Sequence, residues 1–388
     1  MIKLEKIGKV IPNEVEIMRI LMMSWKCIKH PWRGGAEFVT YEYLKRLVEK
    51  GHECVWFTPK FRGCLEREII DGIEIIRDFN INTIHINAWK KYKEEFKGKF
   101  NVVIDQINTL PFFTPLYVNE PIVMFIHQLA LEVWDYEMPF PLNKIGKFAE
   151  KNFLKLYKNV PTICVSPSTK KDLINLGFKE ENIHVIYNGC NVKPLEKVNF
   201  KEKEENTICF VARLTPMKRV EHAIKAVYYV KEEISNVKLW ILGSPKKESY
   251  LYKLKSLVNK LELKDNVKFF GYVPFEKRNE IIKKSQILVV TSVKEGWGLN
   301  VIEANALGTP AVGYRVSGLV DSIKDGYNGL LVEDGNIKEL SETIINLLKD
   351  DDLRKRLSEN AIEWAKQFSW DKSTEEFERV LKKVVNNG

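Results

Sequence analysis

Short apolar runs and amphipathic segments alternate along most of the chain. Residues 20–24 and 53–58 are apolar runs, and the stretch 36–50 between them has helical periodicity and is stopped by Gly51. A strand, a helix and a second strand in this order are typical of the right-handed crossover unit of a buried parallel sheet. The pattern therefore predicts an α/β protein.

The same alternation continues in two series. In the first, we predict further strands at 72–78, 102–106, 121–127, 162–166 and 184–187. In the second, we predict strands at 207–212, 237–242, 267–270, 287–291, 310–313 and 329–332. The end of the chain has helical periodicity, and we predict helices at 338–349, 353–368 and 371–385.

The two series are separated by a polar segment at 191–206, which contains Pro194 and many lysines and glutamates and is interpreted as a linker. We predict one domain over 1–190, a second over 207–370 and a terminal helix over 371–388. At about 150 residues per domain, 388 residues allow two or three domains. Two αβ domains with facing strand ends would share one ligand cleft.

Composition excludes whole classes of protein but selects no function. Hydrophobic residues make up 45% and charged residues 29%, which excludes a disordered chain and a collagen-like repeat. The 61 basic and 52 acidic residues leave a net charge of +9. This charge favours anionic partners such as phosphates, nucleotides, nucleic acid or acidic lipid.

The six cysteines have no CxxC spacing, which argues against a zinc ribbon or a disulfide framework. Reduced thiols are typical of a cytoplasmic protein. Residues 1–17 mix charges with single apolar residues, unlike a signal peptide, and no stretch reaches the roughly 20 apolar residues of a membrane span. We expect either an N-terminal extension or a start at Met18.

The first candidate site is the turn between the first strand and the first helix, which contains Gly34 and Gly35. Paired glycines let backbone N–H groups approach an anion, and the helix N-terminus adds favourable partial charge. The GxGxxG spacing of a dinucleotide site is absent. A simple tight turn remains the alternative.

The second candidate site follows the first strand of the second series. Arg213 and Lys218 flank a turn at Pro216, so both cations can point toward one strand end. A guanidinium binds phosphate oxygens with two hydrogen bonds, and an ammonium adds a mobile charge. The alternative is a pair of solvated charges before a helix.

The third and most specific candidate follows the strand at 287–291. Its two glycines bring the backbone close to a ligand, and Glu303, near the start of the next helix, can accept hydrogen bonds from two vicinal hydroxyls of a ribose or hexose. Glu295 would reach another part of the same ligand. Alternatively, Glu303 is a helix cap and Glu295 a surface charge. The candidate ligand-binding residues here are Gly296, Trp297, Gly298, Leu299 and Glu303.

Taken in order from about residue 18 to 370, these motifs resemble the retaining glycosyltransferases of family 4, with Asn188-Gly189 as a further match before the linker. The resemblance implies the glycosyltransferase B fold, in which two Rossmann-like domains with parallel sheets face each other across a central cleft. It implies that the first domain binds the acceptor and the second the nucleotide sugar, and that the C-terminal helix crosses back to the N-terminal domain.

The resemblance also implies residue roles. Arg213 and Lys218 would neutralise the donor diphosphate, Glu303 would bind the ribose and Glu295 the donor sugar. His127, at the end of an apolar strand, matches the active-site histidine of the family. From its position alone, a lone histidine at a strand end is more often structural.

By the same resemblance, the reaction is transfer of a hexosyl unit from a nucleotide-diphosphate sugar to a hydroxyl of a glycan, a glycolipid or a lipid-linked acceptor. Retention would follow front-face transfer, in which the leaving phosphate helps to deprotonate the acceptor. The DxD match at 350–352 lies between two predicted helices and is interpreted as a capping turn. We expect no metal and no cofactor, the nucleotide sugar being a substrate.

Two departures from the family pattern are noted. Ser317 and Leu319 stand where many members have a second glycine and a Pro-Glu pair, and Cys190-Asn191 replaces the commoner Val-Asp. The first departure makes the donor sugar harder to infer. We assign no catalytic role to Cys190.

A lysine-rich segment follows His127. Its spacing of three and four residues predicts one helical face, flanked by aromatic residues, that suits contact with the inner face of an anionic membrane. A solvated helix face is the alternative. The lysines are Lys144, Lys147, Lys151, Lys155 and Lys158.

Other functions are compatible with the same architecture. A sugar phosphorylase or a nucleotide-sugar epimerase is the alternative enzyme, and a non-catalytic sugar-nucleotide sensor is the alternative binding protein. Nucleic-acid binding is not expected, because charge alone suggests it and no reading motif is present. The oligomeric state stays open.

Overall fold

The computed structural model describes residues 17–387, so the expectations about a leader, an extension or the start of the chain fall on residues outside this range. Within it, the chain forms two mostly parallel sheets covered by helices. The predicted α/β class with two parallel-sheet domains is confirmed.

The first sheet has eight strands in the order β3-β4-β2-β1-β5-β6-β7-β8. Pairing is parallel except between β3 and β4. The strands are β1 (Arg19–Met23), β2 (Glu53–Lys60), β3 (Arg67–Ile70), β4 (Ile73–Asn80), β5 (Val102–Ile107), β6 (Ile122–Ile126), β7 (Thr162–Cys164) and β8 (Ile183–Val185). Its helices are α1 (Gly35–Glu49), α2 (Ile84–Lys91), α3 (Trp134–Glu137), α4 (Leu142–Leu154) and α5 (Pro167–Asn175).

The second sheet has six parallel strands in the order β11-β10-β9-β12-β13-β14. They are β9 (Thr207–Val211), β10 (Lys238–Leu242), β11 (Val267–Gly271), β12 (Ile287–Val290), β13 (Ala311–Tyr314) and β14 (Gly329–Val332). Its helices are α6 (Val220–Glu233), α7 (Glu248–Lys260), α8 (Phe275–Lys284), α9 (Leu299–Ala306), α10 (Leu319–Ser322), α11 (Ile337–Lys349) and α12 (Asp351–Ala365).

The last helix, α13 (Trp370–Asn387), packs against α1 of the first sheet. The ring of Phe377 stacks on Tyr43 with centroids 4.5 Å apart and meets Phe125 edge-on at 5.4 Å. All three aromatic side chains are fully buried. Burial of aromatic surface is worth a few kcal/mol per ring, and this attaches the end of the chain to the first sheet.

The strand order places the ends of β1 and β9 at equivalent positions. Each is the strand from which the sheet continues in both directions, with β2 and β5 beside β1 and β10 and β12 beside β9. Loops diverge at such switch points and leave a crevice outside the carboxyl ends of the strands. Both crevices line the cleft between the domains, where Arg213 of the second domain contacts the Arg33 carbonyl of the first.

The helices bear on two expectations, a membrane span and the DxD segment. Within 17–387, no helix is long and apolar enough to cross a membrane. The DxD segment is a cap: the Asp350 side chain accepts a hydrogen bond from the Leu353 N–H at 2.9 Å at the start of α12. All six cysteines are free.

Candidate active site

The glycine-rich turn follows β1 and begins α1. Gly34 is the N-cap, and its N–H donates to the Glu37 carboxylate at 2.5 Å. Lys26 lies 3.3 Å from the other Glu37 oxygen and donates to the Trp32 carbonyl at 2.9 Å. Burial lowers the pKa of Lys26, and the ion pair with Glu37 opposes this shift. The predictions missed Lys26, because a lone lysine after a strand carries no motif.

Arg213 extends from the end of β9 to this turn. Its guanidinium donates to the Trp32 carbonyl at 3.3 Å and to the Arg33 carbonyl. A Cβ on Gly34 would lie 3.2 Å from Arg213 Nη2, so the absence of a side chain permits the approach. The structure therefore brings the first and second candidate sites together.

Gly35 meets the third candidate site. A Cβ built on it would lie 3.7 Å from the Leu299 side chain, which is ordinary van der Waals contact. Leu299 is the first residue of α9, and the preceding Gly298 has the left-handed φ of 78° that this helix start requires. The start of α1 in one domain thus faces the start of α9 in the other.

Lys218 and Glu295 form an ion pair in which both side chains are largely buried. Ser292 Oγ also donates to the Glu295 carboxylate at 2.6 Å. The Glu295 N–H donates to the Ser317 carbonyl at 3.0 Å, and a Cβ on Gly318 would lie only 2.1 Å from the Glu295 carbonyl oxygen. The loop that departs from the family pattern therefore positions Glu295 through its backbone.

His127 follows β6 and lies against the third candidate site. A Cβ on Gly296 would be 2.7 Å from the His127 carbonyl oxygen, so only glycine fits at this crossing between the domains. His127 is buried, and burial lowers its pKa to about 3. The imidazole is neutral at physiological pH.

Glu303 lies on α9 and is buried, but it is not a helix cap. Its two carboxylate oxygens are bound separately, one by Asn191 Nδ2 at 2.8 Å and one by Arg278 Nη2 at 2.9 Å. In the sequence, Asn191 stands out only as a departure from the family pattern, and Arg278 on α8 belongs to no motif. Only the packing of α8 beside α9 brings this arginine to the carboxylate.

The side chain of Trp297, a predicted ligand-binding residue, lies in an aromatic cluster. Its ring is 2% exposed and packs on Tyr187 and Phe368, with centroids 4.7 and 4.9 Å away. The cluster joins the third candidate site to two segments at which the chain passes between the domains. Tyr187 lies after β8, and Phe368 lies between α12 and α13. The ring of Trp297 is therefore a packing element, and a contact of this residue with the ligand stays a prediction.

The lysine-rich segment is a shorter helix than predicted. Helix α4 ends at Leu154 and continues as a 3-10 turn over Lys155–Tyr157, so Lys158 lies outside the helix. Lys147 is paired with Asp135. The prediction of one face with five lysines is therefore wrong. The α4 surface consists of the exposed residues Lys144, Ile145, Phe148, Lys151 and Lys155.

No group of three histidine, cysteine or acidic side chains that could hold a metal ion occurs within the described part of the chain. The charged groups of the cleft pair with one another instead. That the reaction needs no metal stays a prediction.

Two family models cover most of the chain. The model described as Glycosyltransferase Family 4 matches residues 33–193, and the model described as Glycosyl transferases group 1 matches residues 191–364. An uncharacterized glycosyltransferase of Methanocaldococcus jannaschii is 30% identical over 360 residues, which cover 92% of this chain and 95% of the relative.

Solved structures share the fold. Sucrose-phosphate synthase from Thermosynechococcus elongatus superposes with a TM-score of 0.78 at 18% identity, covering 96% of this chain and all of the other. The HepE protein of Anabaena, in complex with UDP and glucose, superposes with a TM-score of 0.73 at 18% identity, covering 94% and 100%. These similarities confirm the glycosyltransferase B fold. Together with the sequence matches over nearly the whole chain, they establish that it is a glycosyltransferase and belongs to the group 1 family.

Proposed function

We propose that the enzyme transfers a hexosyl unit from a nucleotide-diphosphate sugar to a hydroxyl of a glycan, glycolipid or lipid-linked acceptor, with retention and without a metal. The observation that carries this proposal is the meeting of the glycine turn with Arg213 at the ends of β1 and β9. An anion-binding helix start and a guanidinium from opposite domains suit a diphosphate between them.

Breaking the glycosyl phosphate bond develops negative charge on the leaving diphosphate. Arg213 and Lys218 supply cations for this charge, and both can exchange their present protein partners for phosphate oxygens. Glu303 is proposed to accept hydrogen bonds from the ribose hydroxyls, in place of one of the two donors that it binds now. The complex of HepE with UDP and glucose supports a nucleotide sugar as donor.

Retention is proposed to occur on one face of the sugar. A double displacement needs a carboxylate nucleophile about 5 Å from its acid partner. Glu295 is held by Lys218 and Ser292, and Glu303 by Asn191 and Arg278. With both carboxylates engaged in binding, front-face attack assisted by the leaving phosphate is the mechanism that we propose.

A panel of nucleotide sugars with candidate acceptors tests this function. We expect one donor to release nucleoside diphosphate, with the same rate in EDTA, and a product with the anomeric configuration of the donor by NMR. Tight donor binding without release of diphosphate on any acceptor would favour the sensor. An inverted product would exclude front-face retention, and activity that EDTA abolishes and manganese restores would exclude metal independence.

We also propose that the α4 surface contacts an anionic bilayer. Phe148 is 72% and Ile145 58% exposed, on the same helix face as Lys144 and Lys151. Lys155, which donates a hydrogen bond to Asn152, follows in the 3-10 turn. The opposite face of α4 packs against the protein, where Glu150 is buried. Exposed apolar side chains among lysines suit a membrane interface, and Phe140, 80% exposed, extends the apolar area. This surface would bring a lipid-linked acceptor toward the cleft.

Sedimentation with phosphatidylglycerol vesicles tests the contact. We expect binding to anionic but not to phosphatidylcholine vesicles, and its loss in Phe148→Glu and when Lys144, Lys151 and Lys155 become glutamine. Tyr252→Glu on α7, at a side chain that is 76% exposed, is the matched control. Unchanged binding would contradict the proposal. A dimer that Phe148→Glu dissociates, without vesicle binding, would assign the surface to a second copy.

A further inference from the structure

A hydrogen-bond relay connects helix α1 to the His127 ring. Gln106, at the end of β5, places its side-chain nitrogen 2.8 Å from His127 Nε2 and 2.6 Å from Thr40 Oγ1. All three side chains are buried. Neither Gln106 nor Thr40 belongs to any motif in the chain.

The Thr40 hydroxyl decides which groups of the relay donate and which accept. It donates to the Ala36 carbonyl one helical turn earlier, at 3.0 Å. A hydroxyl has one proton, so Thr40 Oγ1 can only accept from Gln106. Gln106 therefore presents its NH₂ group, and not its carbonyl oxygen, to this cluster.

The same NH₂ group sets the state of the histidine. With Gln106 donating, His127 Nε2 has to be the acceptor, and the ring proton of a neutral imidazole is then on Nδ1. His127 Nδ1 has no hydrogen-bond partner among residues 17–387, and it is not sealed from solvent. The remaining donor of the ring is thus free for a ligand.

We propose that Gln106 and Thr40 are positioning residues that lock His127 in the Nδ1-protonated form, so that this nitrogen donates a hydrogen bond to a hydroxyl oxygen of the sugar in the cleft. The role of the ligand rests on the proposed function, whereas the tautomer does not. Under this assignment His127 is a hydrogen-bond donor and does not act as a base.

The tautomer can be measured directly by long-range ¹H–¹⁵N NMR on protein labelled at histidine, with His127→Asn to assign the signal. We expect the wild-type ring to be protonated at Nδ1. In Gln106→Glu the carboxylate accepts in place of donating, so we expect the proton to move to Nε2. Gln128→Glu, which puts the same charge on the next residue along the chain, should leave the tautomer unchanged.

Activity provides the second measurement. We expect kcat for transfer to fall about fivefold in Gln106→Leu, the effect of one neutral hydrogen bond, with a smaller change in the KM of the donor. Thr40→Val should also lower kcat, whereas Thr40→Ser, which keeps the hydroxyl, should have a kcat close to that of the wild type. A wild-type ring protonated at Nε2, or an unchanged tautomer in Gln106→Glu, would overturn the proposal. Absence of transferase activity with the expected tautomer would instead refute the proposed function.

Discussion

The two hydrogen-bond partners of Glu303 make its charge testable. In Glu303→Gln, the amide keeps one acceptor but loses the negative charge that is proposed to accept hydrogen bonds from the ribose hydroxyls. Hydrogen bonds to charged groups are worth about 1.5–3 kcal/mol, so we expect the donor KM to rise at least about tenfold. Kinetics with varied nucleotide sugar will measure this, with a smaller change expected for kcat.

A matched control lies on the neighbouring helix. Glu280 on α8 pairs with Lys277 and Lys284 at 2.8 and 3.2 Å, at exposed positions. Because exposed pairs contribute little, Glu280→Gln should leave donor KM unchanged. An equal donor KM in Glu303→Gln and wild-type enzyme would contradict the role of Glu303 in donor binding.

Gly296 tests the crossing between the two domains. In Gly296→Ala the added methyl would lie 2.7 Å from the His127 carbonyl oxygen, so one of the two backbone segments has to shift. We expect a loss of about 1–3 kcal/mol in the free energy of unfolding and at least a tenfold loss of transferase activity.

Gly326→Ala separates this contact from ordinary backbone strain. Gly326 has a φ of 77° and no heavy atom within 4 Å of a built Cβ. Alanine there costs about 1 kcal/mol through its conformation alone and should leave activity intact. If Gly296→Ala were as active as Gly326→Ala, the close crossing would have no bearing on catalysis.

At the scale of elements, apolar periodicity was sufficient to place the strands of both sheets except β3. The antiparallel edge strand β3 escaped prediction, because its alternate residues stay partly exposed and it has no buried run. The five-lysine face failed for a different reason. The spacing of three and four residues between lysines continues through a 3-10 turn, where the angle per residue of an α-helix no longer holds.

The candidate site also contains residues that a local pattern predicts and residues that it does not. Motifs with glycine or charge at fixed spacing identified Arg213, Lys218, Glu295 and Glu303, which the structure brings to one cleft. Their partners could not be predicted. Arg278 and Gln106 come from separate elements and are selected by packing between helices and strands, which no local pattern reports.

Helix α13 provides a prediction on pH. Burial alone would raise the pKa of Glu378, but hydrogen bonds from Lys382, Lys50 and His52 outweigh burial and lower it to about 2. Since the folded pKa lies below the ordinary value of 4.5, this carboxylate stabilises the fold above pH 4.5 and loses that contribution as the pH falls toward 2. Urea unfolding from pH 7 to pH 3 should show decreasing stability.

The variant Glu378→Gln isolates this contribution. It should be less stable than the wild type at pH 7, and the difference between them should shrink as the pH falls toward 2. Glu375→Gln, at an exposed position of the same helix, is the control and should follow the wild-type curve. A constant difference between Glu378→Gln and wild type across this pH range would show that the charge of Glu378 has no part in attaching α13.

For the whole molecule, three cations lie at the cleft, but two of them, Lys218 and Lys26, are paired with carboxylates, so the cleft explains little of the net charge of +9. Arg213 binds backbone carbonyls of the opposite domain, and Lys218 binds a carboxylate of its own domain. Burial of Lys26 beside Glu37 adds a third cation near the same turn. Diphosphate binding would therefore exchange ligands on cations already held in place, which limits the entropy cost of ordering them.

A second charged contact joins the two domains. Lys294, whose side chain is 4% exposed, lies 2.6 Å from Asp172 on α5 and 3.0 Å from Glu132 in the loop after His127. Burial lowers the pKa of Lys294, but the two ion pairs outweigh burial and raise it, so the ammonium stays charged. Two carboxylates of the first domain thus depend on one cation of the second.

Lys294→Met removes this cation but keeps most of the volume of the side chain. The two carboxylates then repel each other, and Asp172 loses its ion-pair partner, at a cost of about 3 kcal/mol, the lower end of the range for a buried pair. We expect a larger radius of gyration by small-angle X-ray scattering and a higher donor KM. Lys246→Met is the control, because its pair with Glu137 also joins the domains at 2.7 Å but Lys246 is 54% exposed. Equal expansion in both variants would show that the number of ion pairs between the domains, and not the burial of Lys294, controls closure.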